Sequence, residues 1–236
     1  MDKKPVSENE RGHDRVNRSL ISGVERKTLQ WCAARTPPWM TPDRFTALGF
    51  SGALLSAASY FLSGIDRNFL WLASLGWLVN WFGDSMDGTL ARFRKIERPT
   101  YGFYLDHSLD ALSVVIIGLG LALSPYAAFS VGLLVLIGYL MLNIQLYIFS
   151  CATRVHYLSY GKLGATEFKI FACVFSCVLY AVGTPQMRFG TYDFMLWDPV
   201  FVCLACLMML LVLIVVVKNA AALASLEKQK CLPKDI

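Results

Sequence analysis

Four aspartates in two strongly apolar stretches are the residues of this sequence best suited to chemistry. Asp84 and Asp87 stand three residues apart, and Asp106 and Asp110 stand four residues apart. On helices, these spacings place the members of each pair on one face. Acidic side chains are rare inside apolar segments because their burial is costly, and those that occur usually serve a function. The segment between the pairs is short, which predicts antiparallel neighbours whose acidic faces meet.

Carboxylates that converge at one depth repel one another strongly, so they must either protonate or bind cations. Their oxygens are hard ligands that suit Mg²⁺, Mn²⁺ or Ca²⁺. Two divalent ions ~4 Å apart would neutralise this cluster, and such pairs are common in phosphoryl and diphosphate chemistry. The plainer alternative is that the aspartates form ion pairs with Arg92, Arg94 or Lys95 of the following loop.

The helices that must position these aspartates are predicted to cross a membrane. The chain is 56% hydrophobic, whereas soluble domains are ~45–50% apolar by a broader count. A spanning helix needs ~20 mostly apolar residues. We therefore predict an all-α integral membrane fold with six transmembrane helices, which together form a catalytic domain at 41–218. The predicted spans are 44–64, 69–92, 103–123, 126–150, 165–183 and 197–217.

The segments outside the spans are polar. Residues 1–18 are predicted to be a disordered cytosolic tail, and residues 219–236 a cytosolic carboxyl-terminal tail. An amphipathic interfacial helix is predicted at 19–35, and its alternative is a disordered linker. Its apolar side would consist of Leu20, Val24, Trp31 and Ala34, with the tryptophan as an anchor.

Local signals mark the start and the packing of the first span. Thr41 followed by Pro42 is typical of a helix start, with a threonine N-cap and a proline in the first turn. Several small residues then indicate close helix packing. They are Gly49, Ser51, Gly52, Ser56 and Ala57.

The charge distribution predicts the orientation. Six crossings with a cytosolic amino terminus place all of the 22 lysines and arginines except Arg67 and Arg188 on the cytosolic side, as the positive-inside rule requires. We therefore expect both termini and the aspartates on the cytosolic side, in a bacterial cell membrane. No basic face with interleaved aromatics appears, so a nucleic-acid partner is not expected. The odd number of cysteines implies no disulfide framework.

The aspartates belong to a longer pattern, D-S-M-D-G-T-L-A-R at 84–92 and G-F-Y-L-D-H-S-L-D at 102–110. It resembles the signature of the CDP-alcohol phosphotransferase family, D-x-x-D-G-x-x-A-R, a spacer, and G-x-x-x-D-x-x-x-D. All eight signature residues are present. The spacer between Arg92 and Gly102 is one residue longer than is usual in the family, and loops tolerate such insertions at low cost.

The resemblance implies an enzyme of phospholipid biosynthesis. It would transfer a phosphatidyl or phospho-alcohol group from a CDP-linked donor to an acceptor hydroxyl and release CMP. The cofactors would be two divalent cations, Mg²⁺ or Mn²⁺, held by Asp84, Asp87, Asp106 and Asp110, with Asp110 also acting as the general base. The CDP pocket would be lined by Gly88, Ala91, Arg92 and Gly102. The implied partners are CDP-diacylglycerol or a CDP-amino alcohol, an alcohol acceptor, membrane lipids and a second copy in a homodimer.

Three further residues bear on the substrate. Family members with choline or ethanolamine headgroups carry a histidine after the third aspartate, as His107 does here, but they follow the motif glycine with Glu, where this chain has Phe103. His107 is therefore an alternative base, and otherwise a polar residue of the cleft wall. Members that take inositol phosphate or glycerol phosphate often have Arg or Lys after the last aspartate. Ala111 stands there in this chain, so we expect an acceptor other than a sugar or polyol phosphate.

Other hypotheses compete with the enzyme. Glu167 is a candidate cleft residue, and its alternative is an interfacial ion pair with Lys162 or Lys169. Intramembrane acids also mark the ion paths of cation carriers, although carriers often show an internal repeat and none is visible here. A non-catalytic scaffold would not need four acids at these spacings.

Overall fold

The structure is a computed structural model, and it describes residues 22–153, 165–184, 186–189 and 192–231. These residues form seven helices and two short antiparallel strands. The predicted tail at 1–18 and the start of the predicted helix at 19–35 lie outside the described residues. The helices are α1 (Ser22–Arg35), α2 (Pro42–Leu62), α3 (Phe69–Arg94), α4 (Pro99–Ala122), α5 (Phe129–Thr153), α6 (Ala165–Val182) and α7 (Trp197–Cys231), and the strands are β1 (Gln186–Phe189) and β2 (Tyr192–Met195).

Helix α2 begins at the predicted position. Thr41 has an extended backbone, with φ −105° and ψ 161°, and its hydroxyl accepts a hydrogen bond from the Arg44 amide at 3.4 Å. Pro42 follows as the first helical residue, where its fixed φ suits the helix and its missing N–H leaves no bond unmade. This start fixes the position of Thr46, which lies one turn further on and reaches the aspartates.

Helices α2 and α3 pack backbone against backbone and run antiparallel. A Cβ atom added at Gly83 would collide with the backbone of Gly49, and one added at Gly76 would lie 2.6 Å from the Ser56 amide nitrogen. Gly49, nearer the start of α2, meets Gly83, nearer the end of α3, whereas Ser56, further along α2, meets Gly76, nearer the start of α3. The predicted close packing at Gly49 and Ser56 is therefore confirmed, whereas Ser51 is exposed and that part of the prediction is wrong.

A buried chain of hydrogen bonds ties α6 to the same pair of helices. The Trp77 indole donates to the Tyr60 hydroxyl at 3.1 Å, and the Tyr60 and Ser176 hydroxyls lie 2.6 Å apart. Ser176 in turn donates to the Ala172 carbonyl at 3.0 Å. An apolar core surrounds these hydrogen bonds, and it includes Leu70, Leu179, Trp197 and Phe201.

Small residues also set the positions of the remaining helices. A Cβ atom at Gly120 of α4 would collide with the backbone of Ala57 on α2, which confirms the predicted close packing at Ala57. A Cβ atom at Gly132 of α5 would lie 2.6 Å from that of Ala122. The Asp198 carboxylate at the start of α7 accepts a hydrogen bond from the Ala128 amide at 2.8 Å, just before α5 begins.

Four of the described helices, α2, α4, α5 and α7, are long and apolar enough to cross a membrane. Large apolar side chains point outward along α7, including Leu207, Leu210, Leu213 and Val217. Helix α3 carries Asn80 and the first two aspartates, so it is less apolar than its neighbours. The all-α core is confirmed.

Several element boundaries differ from the predictions, and α5 covers Phe129–Thr153 rather than 126–150. Helix α4 begins at Pro99 rather than at residue 103, because a polar first turn is invisible to a search for apolar residues. Helix α7 continues to Cys231, well into the predicted tail at 219–236, because this segment is rich in good helix formers such as Ala, Leu, Glu and Lys. The short strands before α7 were not predicted.

Helix α1 lies against α3 with a different face from the one predicted to be apolar. Leu29 and Ala33 are buried against Met86 and Leu90 of α3. Trp31, on the predicted apolar side, is 58% exposed. The predicted apolar side therefore faces away from the helix bundle where the structure describes it.

Candidate active site

Three of the four predicted aspartates converge in a cleft between α3 and α4. One carboxylate oxygen from each of Asp84, Asp106 and Asp110 lies within 4.8 Å of the others. Helices α3 and α4 both pack on α2, and α2 residues Gly49 and Phe50 line the same cleft. The acidic faces therefore meet across a groove that has α2 as its floor, rather than through direct close packing of α3 on α4.

The fourth aspartate lines the cleft but is turned toward α2. Asp87 Oδ2 accepts a hydrogen bond from the Thr46 hydroxyl at 2.7 Å. Asp87 therefore stands outside the group of three converging carboxylates, although it contributes to the same cleft wall. Thr46 holds this carboxylate in place, and it was not predicted as a site residue.

A buried lysine from α6 enters the cluster. Lys169 Nζ lies 2.7 Å from Asp84 Oδ2, and the lysine side chain is 11% exposed. Sequence reasoning counted Lys169 only as a basic residue at the cytosolic end of a span and as a possible partner of Glu167. Its place beside Asp84 depends on the packing of α6 against α3, across 85 residues of sequence, which no local pattern reports.

The basic residues suggested as alternative partners of the aspartates have other contacts. Arg94 donates to the carbonyls of Met40 at 2.6 Å and of Thr36 at 2.9 Å. Arg92 donates to the Thr89 hydroxyl at 3.3 Å. A further basic residue of the loop, Arg98, forms an ion pair with Asp43. The contacts of Arg94 and Arg98 fasten the loops at this end of the bundle, whereas Arg92 lies near enough to Asp87 to interact with it electrostatically.

The donor set of the cleft fits hard divalent cations. The three converging ligands are all carboxylates, the type that Mg²⁺ and Mn²⁺ prefer. The Asp84 and Asp106 side chains remain 23% and 35% exposed, so they are accessible from the open side of the groove. One lysine compensates only part of their charge.

The residues predicted to line the nucleotide pocket lie one or two turns from the aspartates, on the aspartate-bearing faces of α3 and α4. Gly88 and Ala91 lie four and seven residues after Asp84 on α3, and Gly102 lies four residues before Asp106 on α4. A Cβ atom at Gly102 would have nothing within 4 Å, whereas one at Gly88 would lie 3.2 Å from the Arg92 guanidinium. Of these positions, Gly102 has open space around it, one turn before Asp106.

His107 is oriented by its own helix. Its Nδ1 lies 2.9 Å from the Phe103 carbonyl oxygen and 3.7 Å from Asp106 Oδ2. A bond from Nδ1–H to that carbonyl would leave Nε2 as the basic nitrogen of a neutral imidazole. The His107 ring also packs 4.1 Å from the Phe103 ring and 5.4 Å from the Tyr147 ring, between ring centroids.

Helix α1 is fastened beside the cluster by Glu25. Its Oε1 accepts hydrogen bonds from the Trp81 indole at 3.1 Å, the Ser85 hydroxyl at 3.4 Å and the Thr166 hydroxyl at 2.8 Å. One carboxylate therefore joins α1, α3 and α6 next to Asp84. Sequence reasoning missed Glu25, because an acidic residue on a predicted surface helix gives no signal of such a role. Of the two lysines suggested as partners of Glu167, Lys169 contacts Asp84 and Lys162 lies outside the described residues.

Comparison with known proteins places this arrangement in a family. The family model described as CDP-alcohol phosphatidyltransferase matches residues 39–226, which include α2, α3, α4 and the whole cleft. The chain is 26% identical over 180 residues to cholinephosphotransferase 1 of Xenopus laevis, across 72% of this chain and 43% of the relative. It is 34% identical over 105 residues to archaetidylinositol phosphate synthase of Pyrococcus horikoshii, across 44% of this chain and 52% of the relative.

The matches thus span about half the length of these curated relatives. The family match is broader. It begins just before α2 and ends in the second half of α7. Together with the four apolar helices, it identifies an integral membrane protein. The chain belongs to the CDP-alcohol phosphatidyltransferase family.

Proposed function

We propose that this protein is a metal-dependent phosphotransferase of phospholipid biosynthesis. It transfers a phosphatidyl or phospho-alcohol group from a CDP-linked donor to an acceptor hydroxyl and releases CMP. The observation that carries the proposal is the convergence of Asp84, Asp106 and Asp110 within 4.8 Å in a chain of this family. A cation carrier gains no support from the relatives, whose names denote a phosphotransferase and a synthase.

The proposed roles follow from the positions of the side chains. Asp84, Asp87, Asp106 and Asp110 would hold two divalent cations, Mg²⁺ or Mn²⁺. Such ions, when bound, supply positive charge that stabilises a diphosphate leaving group. In the proposed arrangement Thr46 keeps Asp87 oriented toward α2.

Asp110 is proposed as the general base. Attack on phosphorus forms a bond from the acceptor oxygen to the donor's β-phosphorus and breaks the bond from that phosphorus to the oxygen of CMP. The acceptor hydroxyl must lose its proton during this step, and a carboxylate in the cleft can accept it. His107, with Nδ1 near the Phe103 carbonyl, is the alternative base.

The nucleotide is proposed to lie over Gly88, Ala91 and Gly102, with Arg92 near its phosphates. Gly102 supports this placing because the space around its Cα is open. Glycine and alanine on a carboxylate-bearing face allow a flat base or a diphosphate to approach the backbone. Arginine suits phosphate because its planar guanidinium can donate two parallel hydrogen bonds.

The acceptor is proposed to be a neutral or amino alcohol, or a lipid hydroxyl. Ala111 follows the last aspartate, so this position offers no cation to a phosphorylated acceptor. The name of the Xenopus relative denotes transfer of a cholinephosphate group and states no acceptor, whereas the name of the Pyrococcus relative includes an inositol phosphate product. The donor would be CDP-diacylglycerol or a CDP-amino alcohol.

We also propose that α3 and α6 cross the membrane, which gives six crossings. Lys169 of α6 lies beside Asp84 of α3, and Tyr180 of α6 donates to Asn68 at the start of α3 at 3.3 Å. Helix α6 therefore extends over the same depth as the part of α3 between Asn68 and Asp84. The charge distribution then places both termini and the cleft on the cytosolic side, with α1 in the interface. A homodimer in a bacterial cell membrane completes the proposal.

The direct test is metal-dependent release of CMP. Purified protein in detergent or vesicles would be incubated with CDP-diacylglycerol or a CDP-amino alcohol and with candidate acceptors, with and without Mg²⁺ or Mn²⁺. We expect CMP release with one donor–acceptor pair, and its loss after EDTA treatment or in Asp106→Asn. The control variant is Asp66→Asn, because Asp66 lies in the turn before α3, away from the cleft. Absence of CMP from every pair, or full activity of Asp106→Asn, would refute the proposal.

A further inference from the structure

Lys169 brings a fixed positive charge into a cluster of negative ones. It is 9% exposed, and lysine is almost never so deeply buried unless it is paired. Its closest acidic partner is Asp84, at 2.7 Å, and Asp110 and Tyr139 lie near enough to interact with it electrostatically. The proposed chemistry above does not use this residue.

The position of Lys169 is set by rigid packing. Helix α6 is joined to its neighbours by Ser176, whose hydroxyl lies 2.6 Å from that of Tyr60, and by Thr166, which donates to Glu25 at 2.8 Å. The adjacent Phe168 ring packs against the rings of Trp77 and Tyr139. Because these contacts lie on both sides of Lys169 along the helix, the backbone that carries the ammonium group is held beside the cleft.

Counting charges shows what the lysine changes. Carboxylates must be ionised to ligate a cation, and in that state the four aspartates with Lys169 carry a net charge of minus three, which one divalent cation reduces to minus one. A second divalent cation would make the cleft positive. Binding of this second cation would become favourable once the two negative charges of a CDP-linked diphosphate entered the cleft. The net charge of the cleft and its ligands would then return to minus one. Without the lysine, two cations alone would bring the cleft to neutrality.

We infer that Lys169 is a positioning residue that makes binding of the second divalent cation depend on the nucleotide. It holds Asp84 in place and opposes full cation loading until a diphosphate arrives. This inference rests on the proposed function, since it takes the cations and the CDP-linked donor to share the cleft. The consequence is that a cleft without donor does not hold a complete cation pair.

The test measures Mn²⁺ binding by electron paramagnetic resonance on the purified full chain, with and without CDP. In the wild-type protein we expect CDP to tighten Mn²⁺ binding and to raise the number of ions bound. In Lys169→Met, Mn²⁺ should bind about tenfold more tightly without CDP, since one nearby positive charge at partly buried distance is removed. The effect of CDP should shrink correspondingly.

Two variants serve as controls. Lys169→Arg keeps the charge and should retain the dependence on CDP. Lys27→Met removes an exposed lysine of α1 and should leave Mn²⁺ binding unchanged. A merely structural role for Lys169 would weaken Mn²⁺ binding on substitution or leave it unchanged, so the direction of the change separates the two interpretations.

Failure of the inference differs from failure of the proposed function. Wild-type protein that binds Mn²⁺ with the same affinity and number with and without CDP overturns the inference, and this measurement needs no variant to fold. Unchanged or weaker Mn²⁺ binding in folded Lys169→Met overturns it as well. If the wild-type protein binds no Mn²⁺ and releases no CMP, the proposed function falls too. If it releases CMP without the coupling, only the inference falls.

Discussion

The two halves of α3 handle buried polar groups in opposite ways. In the half nearer Phe69, the polar side chains find partners within the protein. The Trp77 indole donates to Tyr60 at 3.1 Å, and the Asn80 amide, at the middle of the helix, donates to the Gly49 carbonyl at 3.0 Å. In the half nearer Arg94, Asp84 faces two aspartates of α4 and one lysine. Only beside that half, among the described residues, do three carboxylates converge on a single lysine.

This difference separates structure from function along one helix. Buried polar groups that satisfy one another lower the free energy of the fold and need nothing from outside. Like charges held together by the fold raise its free energy, and they persist where a ligand of opposite charge compensates them. The aspartate half therefore indicates an external cation, and the Trp77 half indicates a rigid support for it.

The largest effect is expected for Asp110→Asn. Removal of the proposed base and of one proposed cation ligand should lower CMP release by about 10²–10⁴-fold, while the thermal midpoint of the metal-free protein stays the same or rises, because a repulsive charge is lost. The midpoint of the variant should also gain less from added Mn²⁺ than that of the wild-type protein. Activity assays and thermal unfolding monitored by tryptophan fluorescence would measure both. If Asp110→Asn were active, or if it were inactive and also strongly destabilised, the aspartates would serve the fold rather than a ligand. The contrast between the two halves of α3 would then be wrong.

Two glycines near the cleft differ in the space around them. A Cβ atom at Gly83 would collide with the Gly49 backbone, whereas one at Gly102 meets nothing within 4 Å. We expect Gly83→Ala to lower the free energy of unfolding by at least ~1–3 kcal/mol, the usual cost of overpacking. Gly102→Ala should fold normally and raise the KM for the CDP-linked donor. Denaturant unfolding of both variants and donor titrations of Gly102→Ala would measure this. Equal stability of the two variants would contradict the assigned packing role of Gly83.

Sequence reasoning found the helices because burial in lipid imposes long apolar segments. It also found the aspartates, because their spacing on each helix is a local property. The boundaries of α4 and α7 escaped it, since a polar helical turn gives no hydropathy signal. Pro99 and the helix-forming residues up to Cys231 show that helix propensity extends these elements beyond their apolar parts.

The contacts between helices escaped it for a different reason. The pairing of Lys169 with Asp84 and the hydrogen bond from Thr46 to Asp87 join residues 85 and 41 positions apart. Both depend on the register in which α6 and α2 pack against α3. For α2 that register depends on close contacts of glycines such as Gly83, whose partners no local sequence pattern identifies. Glu25 illustrates the same limit, because only the docking of α1 brings its carboxylate to Trp81.

The smallest effect on activity is expected for the hydrogen-bonded residues of α2 and α6 that support α3 through Trp77. The Tyr60 hydroxyl donates to Ser176, which donates onward to the Ala172 carbonyl at 3.0 Å. Ser176→Ala leaves the buried Tyr60 donor unsatisfied and should cost about 1–3 kcal/mol. Combining Tyr60→Phe with Ser176→Ala should cost less than the sum of the two single changes in free energy of unfolding, because the two residues share one hydrogen bond.

The control is Ser51→Ala, which removes an exposed hydroxyl and should leave the free energy of unfolding unchanged. CMP release per folded molecule should stay near the wild-type value in all these variants. A loss of activity without a loss of stability in Ser176→Ala would show that these hydrogen-bonded residues take part in the chemistry rather than only supporting it.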